Sequence, residues 1–112
     1  MAYDEKLANR IRVAFADLPK LEEKKMFGGL AFMVDGKMCI NVGSNRIMCR
    51  IDPRLHDEAL SKKGTSTVMM KGREYRGFVH VDEAEVKTKK ELDYWIELCL
   101  DYNKHAKSSK KK

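Results

Sequence analysis

The side chains best suited to chemistry in this chain are three cysteines and three histidines, and their spacing predicts neither a metal site nor a catalytic site. The cysteines are Cys39, Cys49 and Cys99, and they form no C-x-x-C pair. An odd number of widely spaced cysteines is typical of free thiols in a reducing compartment. The histidines are His56, His80 and His105, and no cysteine lies at zinc-finger spacing from them. We therefore predict no metal and no cofactor.

Two residues could take part in catalysis only with help that the sequence does not provide. His80 lies between two valines in a β-like segment, without a nucleophile or a carboxylate at fixed spacing, whereas a general base needs a partner and a pocket. Cys39 is the best candidate for a reactive thiol, but only Arg50 could lower its pKa. We accordingly predict no catalytic residue and no enzymatic activity.

The pair Gly28-Gly29 resembles part of a phosphate-binding loop but lacks the rest of the pattern. A P-loop needs G-x-x-x-x-G-K-[ST], and the dinucleotide fingerprint needs three spaced glycines at the start of a helix. These two glycines precede a predicted strand, which favours a role in backbone geometry.

The net charge of +6 is concentrated at the end of the chain. Residues 104–112 hold five lysines and no acid, so the rest of the 112 residues is close to neutral. We expect residues 1–103 to form one domain and residues 104–112 to form a disordered Lys/Ser-rich tail. A lysine cluster can bind phosphate backbones without sequence preference, which keeps nucleic acid as an alternative partner.

The hydrophobic segments are too short to place the chain in a membrane. The longest unbroken apolar run is the five residues Leu30–Val34, far below the roughly 20 that span a bilayer. The first residues are charged and lack the apolar segment of a signal peptide. We expect a cytoplasmic protein without membrane contacts.

The apolar pattern predicts an α+β fold with the order α-β-β-β-α-β-β-α. Helical spacing from Leu7 to Leu18 predicts a first helix that Pro19 ends, and residues 20–25 read as a charged connector. Three strands follow within residues 26–51, then a helix over 53–63, strands over 65–70 and 76–81, and a last helix that begins with the capping box of Thr88 and Glu91. Short turns join the strands, so we predict an antiparallel five-stranded sheet with the helices on one face, in two layers.

The turns set the expected register of the first three strands. A two-residue loop at Ser44-Asn45 pairs Val42 with Ile47, Ile40 with Cys49 and Met38 with Ile51, so that all six side chains share one face. Cys39 would then face away from Cys49. The first hairpin is left open, because a two-residue Asp35-Gly36 loop puts Met33 and Ala31, rather than Phe32 and Leu30, opposite Met38 and Ile40. Either the loop is longer or a bulge intervenes.

The strands of residues 26–51 carry apolar side chains on both faces. A sheet with one solvated face would alternate apolar with polar residues. Too few helices are predicted to cover both faces, so we expect the second face to contact another molecule. The candidate interaction surface comprises Phe32, Cys39, Met48 and Arg50, and methionines in the strands favour an adaptable contact surface.

Several motifs together resemble the N-terminal domain of the TfoX/Sxy competence-regulator family, over roughly residues 4–103. They are Met26-Phe27-Gly28-Gly29 before the hairpin glycine Gly36, the later Gly77-Phe78, and Leu92-x-x-Trp95 in the last helix. The resemblance implies a two-layer fold similar to secretion chaperones and no established enzymatic activity. Full-length family members add a helix-hairpin-helix-like domain and act as transcriptional coactivators of competence alongside the cyclic-AMP receptor protein. We expect a stand-alone member with the first domain alone.

Two function hypotheses follow. The preferred one is a non-enzymatic protein-interaction module with a regulatory role, which binds an unidentified protein or a second copy of itself through the sheet face. The alternative is a nucleic-acid-binding accessory protein that uses the strand arginines and the basic tail.

Overall fold

Three α-helices pack against one face of a single antiparallel sheet in the computed structural model, which describes residues 3–18, 20–26, 29–70 and 72–104. The helices are α1 (Glu5–Ala14), α2 (His56–Leu60) and α3 (Lys89–Asn103). The strands are β1 (Leu21–Met26), β2 (Gly29–Val34), β3 (Lys37–Val42), β4 (Arg46–Arg50), β5 (Thr65–Met70) and β6 (Arg73–Asp82). Short 3-10 turns precede α2 at Pro53–Leu55 and α3 at Glu83–Val86. The α+β class and the antiparallel sheet are as the sequence predicted.

The sheet has six strands rather than the five expected, in the spatial order β1-β2-β3-β4-β6-β5. The additional strand is β1, which pairs with β2 over the segment that reads as a charged connector. Apolar and polar residues hardly alternate in the sequence of β1. An edge strand with exposed side chains needs no apolar face and often carries charged residues. Arg12 of α1 binds both carboxylate oxygens of Glu23 at 2.7 and 2.9 Å, which fastens β1 to the helix layer and lowers the pKa of Glu23.

The Asp35-Gly36 turn joins β2 to β3 as a two-residue loop. Both residues have positive φ, 56° and 78°, as a type I′ turn requires. Val34 pairs with Lys37 and Met33 with Met38, but further along Phe32 pairs with Ile40. The register therefore shifts by one residue, and the question that the sequence left open is answered by a β-bulge at Cys39.

The bulge changes which face two residues occupy. Ile40 pairs with Cys49 and Val42 with Ile47, as predicted. Met38 was expected on the same face, opposite Ile51, but it lies in a cluster on the other face. Cys39 joins Cys49 in the helix-covered core instead of facing away from it. Both predictions were wrong for one reason: an extra residue in a strand reverses the alternation of the residues beyond it.

Helix ends follow their capping residues. The Asp4 side chain accepts hydrogen bonds from the backbone N–H groups of Lys6 and Leu7 and begins α1, which ends at Ala14, before the predicted end at Leu18. The predicted capping box at the start of α3 is confirmed. Glu91 N–H donates to the Thr88 hydroxyl and Thr88 N–H donates to the Glu91 carboxylate, both at 3.1 Å.

The core lies between the helices and the first face of the sheet. All three helices and strands β2, β3, β4 and β6 contribute buried side chains to it. Phe15, just after α1, meets Phe32 of β2 edge to face, with ring centroids 6.1 Å apart. A smaller cluster of Ala31, Met33, Met38, Met48 and Val68 occupies the second face.

Candidate interaction surface

The predicted contact face of the sheet is closed by the chain itself. Phe32 and Cys39 lie fully buried in the helix-covered core, and Met48 on the second face is only 5% exposed. These three side chains offer almost no surface to a partner, so the expectation that they are exposed for contact is wrong. Phe32 fails for a second reason, since it faces the helices rather than the second face.

The second face carries an apolar cluster of its own. The cluster of the second face consists of strand side chains alone among the described residues, and the half-buried Phe78 packs against it. Methionine is long and flexible, so Met33, Met38 and Met48 can pack against one another and shield the sheet. Met33, Met38 and Met48 are thus buried in a second apolar cluster, whereas Met69 on β5 is exposed.

Arg50, the fourth residue predicted in the contact surface, is half-buried at the end of β4. Its guanidinium carbon lies 5.6 Å from the Phe78 ring centroid and 5.8 Å from that of Tyr102 in α3. Cation–π contacts of this kind are worth about 0.5–2 kcal/mol. Arg50 therefore connects the second face to the last helix.

The residues of the family motif have separate structural roles. Phe27 and Gly28 lie outside the described residues, as does the side chain of Met26, and Gly36 completes the hairpin turn. Gly29 lies where a Cβ atom would come within 2.2 Å of the Val42 carbonyl oxygen, so only glycine fits there. The motif glycine Gly29 thus serves backbone geometry, as its position before a strand predicted.

Gly77, the other motif glycine, bends β6 and is held by a histidine that sequence reasoning did not single out. Gly77 has a φ of +91°, a conformation that favours glycine. Its N–H donates to Nδ1 of His56 at 2.9 Å, and its carbonyl accepts from Ile51 N–H at 2.7 Å. A glycine inside a strand pattern is a signal of such a bend, but no sequence feature identified His56 as its partner.

His56 is fully buried and both of its ring nitrogens are occupied. Because Nδ1 accepts from Gly77, the proton lies on Nε2, which is 3.1 Å from Glu74 Oε2 and 3.2 Å from Thr67 Oγ1. The Thr67 hydroxyl donates to the same Glu74 oxygen at 3.0 Å, and these two donors lower the pKa of Glu74. His56 therefore anchors α2 to the β5–β6 hairpin and has no free nitrogen for acid–base chemistry.

The three cysteines, far apart in the sequence, meet in the core. Cys99 of α3 lies within hydrogen-bonding reach of Cys39 and Cys49, and all three thiols are buried. The hydrogen bond to Cys99 and burial raise the pKa of Cys39, and burial raises the pKa of Cys99. The thiolate is the reactive form of cysteine, so burial and the raised pKa values of Cys39 and Cys99 disfavour reaction of these two thiols in the folded protein.

The second face carries the remaining titratable candidate, His80. It is half-buried, and its Nδ1 atom has no hydrogen-bond partner among the described residues. Partial burial, and to a lesser degree the charge of Arg46, lowers the pKa of His80. The neutral imidazole of His80 thus places a polar atom, Nδ1, at the edge of the methionine cluster.

The nucleic-acid alternative depends on the strand arginines Arg46, Arg50, Arg73 and Arg76, and the structure places three of them beside acidic or aromatic groups. Arg76 forms a salt bridge to Asp57 at 3.3 Å, Arg50 lies between aromatic rings, and Arg46 is opposite Asp82 in the sheet. The basic tail lies outside the described residues except for Lys104. The described strands therefore present mixed charge rather than a basic patch.

One apolar surface that the fold exposes lies between two helices, in a groove of about 620 Å³ that we call the α1–α3 groove. Val13 and Ala14 of α1 and Leu92 and Ile96 of α3 line it. Val13 is 76% exposed, the most of any large apolar side chain in the described part of the chain. Sequence reasoning missed it, although an apolar residue off the buried stripe of an amphipathic helix is a readable signal.

The α1–α3 groove is held in shape from below and at one end. Leu92 and Ile96 are nearly fully buried and form its floor together with the core. Arg10 donates to the Thr88 carbonyl oxygen at 3.2 Å and ties α1 to the start of α3. The groove is thus a preformed depression rather than a gap between loose elements.

The described part of the chain contains neither a metal-ligand cluster nor a membrane-spanning helix. No three His, Cys, Asp or Glu side chains are arranged there to hold a metal ion. No helix in the same part of the chain is long and apolar enough to cross a bilayer.

Comparison with known proteins assigns the chain to a family. The family model described as the TfoX N-terminal domain matches residues 13–102, most of the chain. No curated protein and no solved structure matches significantly. From its matched segment and its Met26–Gly29 motif, the chain belongs to the TfoX N-terminal domain family, as the sequence resemblance predicted.

Proposed function

We propose that this protein is a non-enzymatic regulatory module of the competence-regulator type, and that it acts by binding another protein at the α1–α3 groove. The observation that carries the proposal is the exposure of Val13 beside an apolar depression formed by two helices. Exposed apolar surface next to a preformed groove is typical of protein contact sites. The family match supports a regulatory context related to DNA-uptake competence.

The placement of the reactive groups supports a binding role over a catalytic one. Both nitrogens of His56 are bound, and the three cysteines are buried. The groove itself is lined by aliphatic and charged side chains without a nucleophile next to a base. Its chemistry suits the recognition of an apolar side chain with charged neighbours.

The test replaces one exposed side chain in the groove and one elsewhere. Val13→Glu puts a charge on the groove, and glutamate is a better helix former than valine, so the fold should persist. Met69→Glu is the matched control, because Met69 is also exposed (56%) but lies on β5. In cells deleted for the gene, we expect the wild type and Met69→Glu to restore expression of DNA-uptake genes and Val13→Glu to fail. Full restoration by Val13→Glu would refute the proposed use of the groove.

A further inference from the structure

The α1–α3 groove carries opposite charge at its two ends. Arg10 and Lys87 lie at the end where α3 begins, and Glu97 lies two turns along α3, about 12 Å beyond Lys89 by helical rise. Lys89, the first residue of α3, and Asp93 neutralise each other in a salt bridge of 2.7 Å. The groove is therefore basic at one end, acidic at the other and apolar in the middle.

Lys87 and Glu97 are available for contacts outside the molecule. Both are exposed, and neither forms a salt bridge with any residue that the structure describes. Val13, between them, projects into solvent. An occupant that matches this surface needs an apolar centre, an acidic group near Lys87 and a basic group near Glu97.

A surface with one basic and one acidic end is complementary to itself when a copy is turned by 180°. We propose that the occupant of the α1–α3 groove is a second copy of this chain, packed antiparallel about a two-fold axis. Lys87 then faces the partner's Glu97, Glu97 faces the partner's Lys87, and Val13 packs against the partner's groove. Each contact occurs twice, as in every two-fold interface. The inference rests on the proposed function, because it names the partner at the same surface.

The size of the surface predicts a weak dimer. The longer helix, α3, has 15 residues and is therefore about 22 Å long. Two helices side by side present less than the roughly 800 Å² per partner of a stable complex. We therefore expect a dissociation constant on the order of 100 μM, which makes association dependent on protein concentration.

Charge exchange provides the decisive experiment, with sedimentation of the full chain up to about 1 mM as the readout at low salt. Lys87→Glu and Glu97→Lys each place like charges against each other twice, so each should weaken the dimer about fivefold. The double variant restores opposite charges and should regain most of the wild-type affinity. Val13→Glu should abolish dimers, and Met69→Glu should not change them.

Two results would overturn the inference: a wild-type protein that stays monomeric throughout this range, or a double variant no stronger than the singles. The outcome is separable from the proposed function. If the wild type is monomeric and Val13→Glu still abolishes regulation in cells, the groove binds a different protein. The second-copy inference then fails while the regulatory function stands.

Discussion

The His56 anchor allows a stability prediction that can be worked from individual contacts. In His56→Ala, the buried N–H of Gly77 loses its acceptor, and the contacts to Glu74 and Thr67 disappear. An unsatisfied buried donor costs about 1–3 kcal/mol, and a cavity from truncating a large buried side chain adds about 2 kcal/mol or more. We therefore expect His56→Ala to lose about 4 kcal/mol of unfolding free energy, a large share of the stability of a small domain.

A second variant separates the bond to Gly77 from the rest of the contacts. Asparagine carries a carbonyl oxygen at the same distance from its Cβ as Nδ1 of histidine, so His56→Asn can still accept from the Gly77 N–H. We expect His56→Asn to lose about 2 kcal/mol, roughly half the loss of His56→Ala, since the acceptor is kept while the Nε2 contacts and some volume are lost.

The assay is urea unfolding, followed by the fluorescence of Trp95, the only tryptophan and nearly fully buried. The two variants and the wild type are compared at neutral pH. A loss below about 1 kcal/mol in His56→Ala, or equal losses in both variants, would show that the histidine does not hold the Gly77 bend as described.

Three further predictions concern the cysteines, Gly29 and the exposed Glu74. All three cysteines should resist Ellman's reagent in the native protein and react together after unfolding, because all three thiols are buried; rapid reaction of any one in the folded state would contradict this. Gly29→Ala should lower the urea midpoint by an amount equivalent to about 2–3 kcal/mol, because its Cβ would meet the Val42 carbonyl oxygen. The pKa of Glu74 is lowered in the folded protein, so the stability that ionised Glu74 contributes is complete above the ordinary pKa of 4.5 and is lost as the pH falls through the lowered pKa. Glu74→Gln should therefore flatten the fall of the urea midpoint between about pH 5 and pH 3. A fall as steep as that of the wild type would count against the hydrogen bonds of Glu74 to Thr67 and His56.

The sequence predicted those parts of the fold in which local signals agree. The capping box of Thr88, the Asp35-Gly36 turn and the pairing of Val42 with Ile47 all depend on a few neighbouring residues. The bulge at Cys39 was signalled only as a conflict between loop length and apolar alternation, which sequence alone does not resolve. The sequence did not predict strand β1, because its charged residues lack the alternation typical of a strand. Its pairing with β2 depends on backbone hydrogen bonds, which leave no signal in the side chains.

The surface was harder to predict than the fold, because exposure depends on what lies across space. The sequence predicts too few helices to cover the second face of the sheet, so that face was expected to be exposed. Met33 and Met48 are nevertheless buried in the apolar cluster of that face. Conversely, Val13 lies off the buried stripe of its helix, which the sequence shows, but the groove beside it follows only from where α3 packs. Periodicity identifies the faces of an element, but not which of them another element covers.

The two outer strands of the sheet bear on its resistance to aggregation. An edge strand offers free backbone groups to any strand that approaches, and growth of a sheet from molecule to molecule is the route to fibres. On β1, the run from Glu22 to Lys25 requires an incoming strand to strip water from four charges. Strand β5 (Thr65–Met70) carries no charged residue. There, a shift in register between Thr67 and Met69 makes the edge irregular, so that an incoming strand cannot pair with it continuously. The molecule limits its own polymerisation by electrostatics at one margin and by irregular geometry at the other.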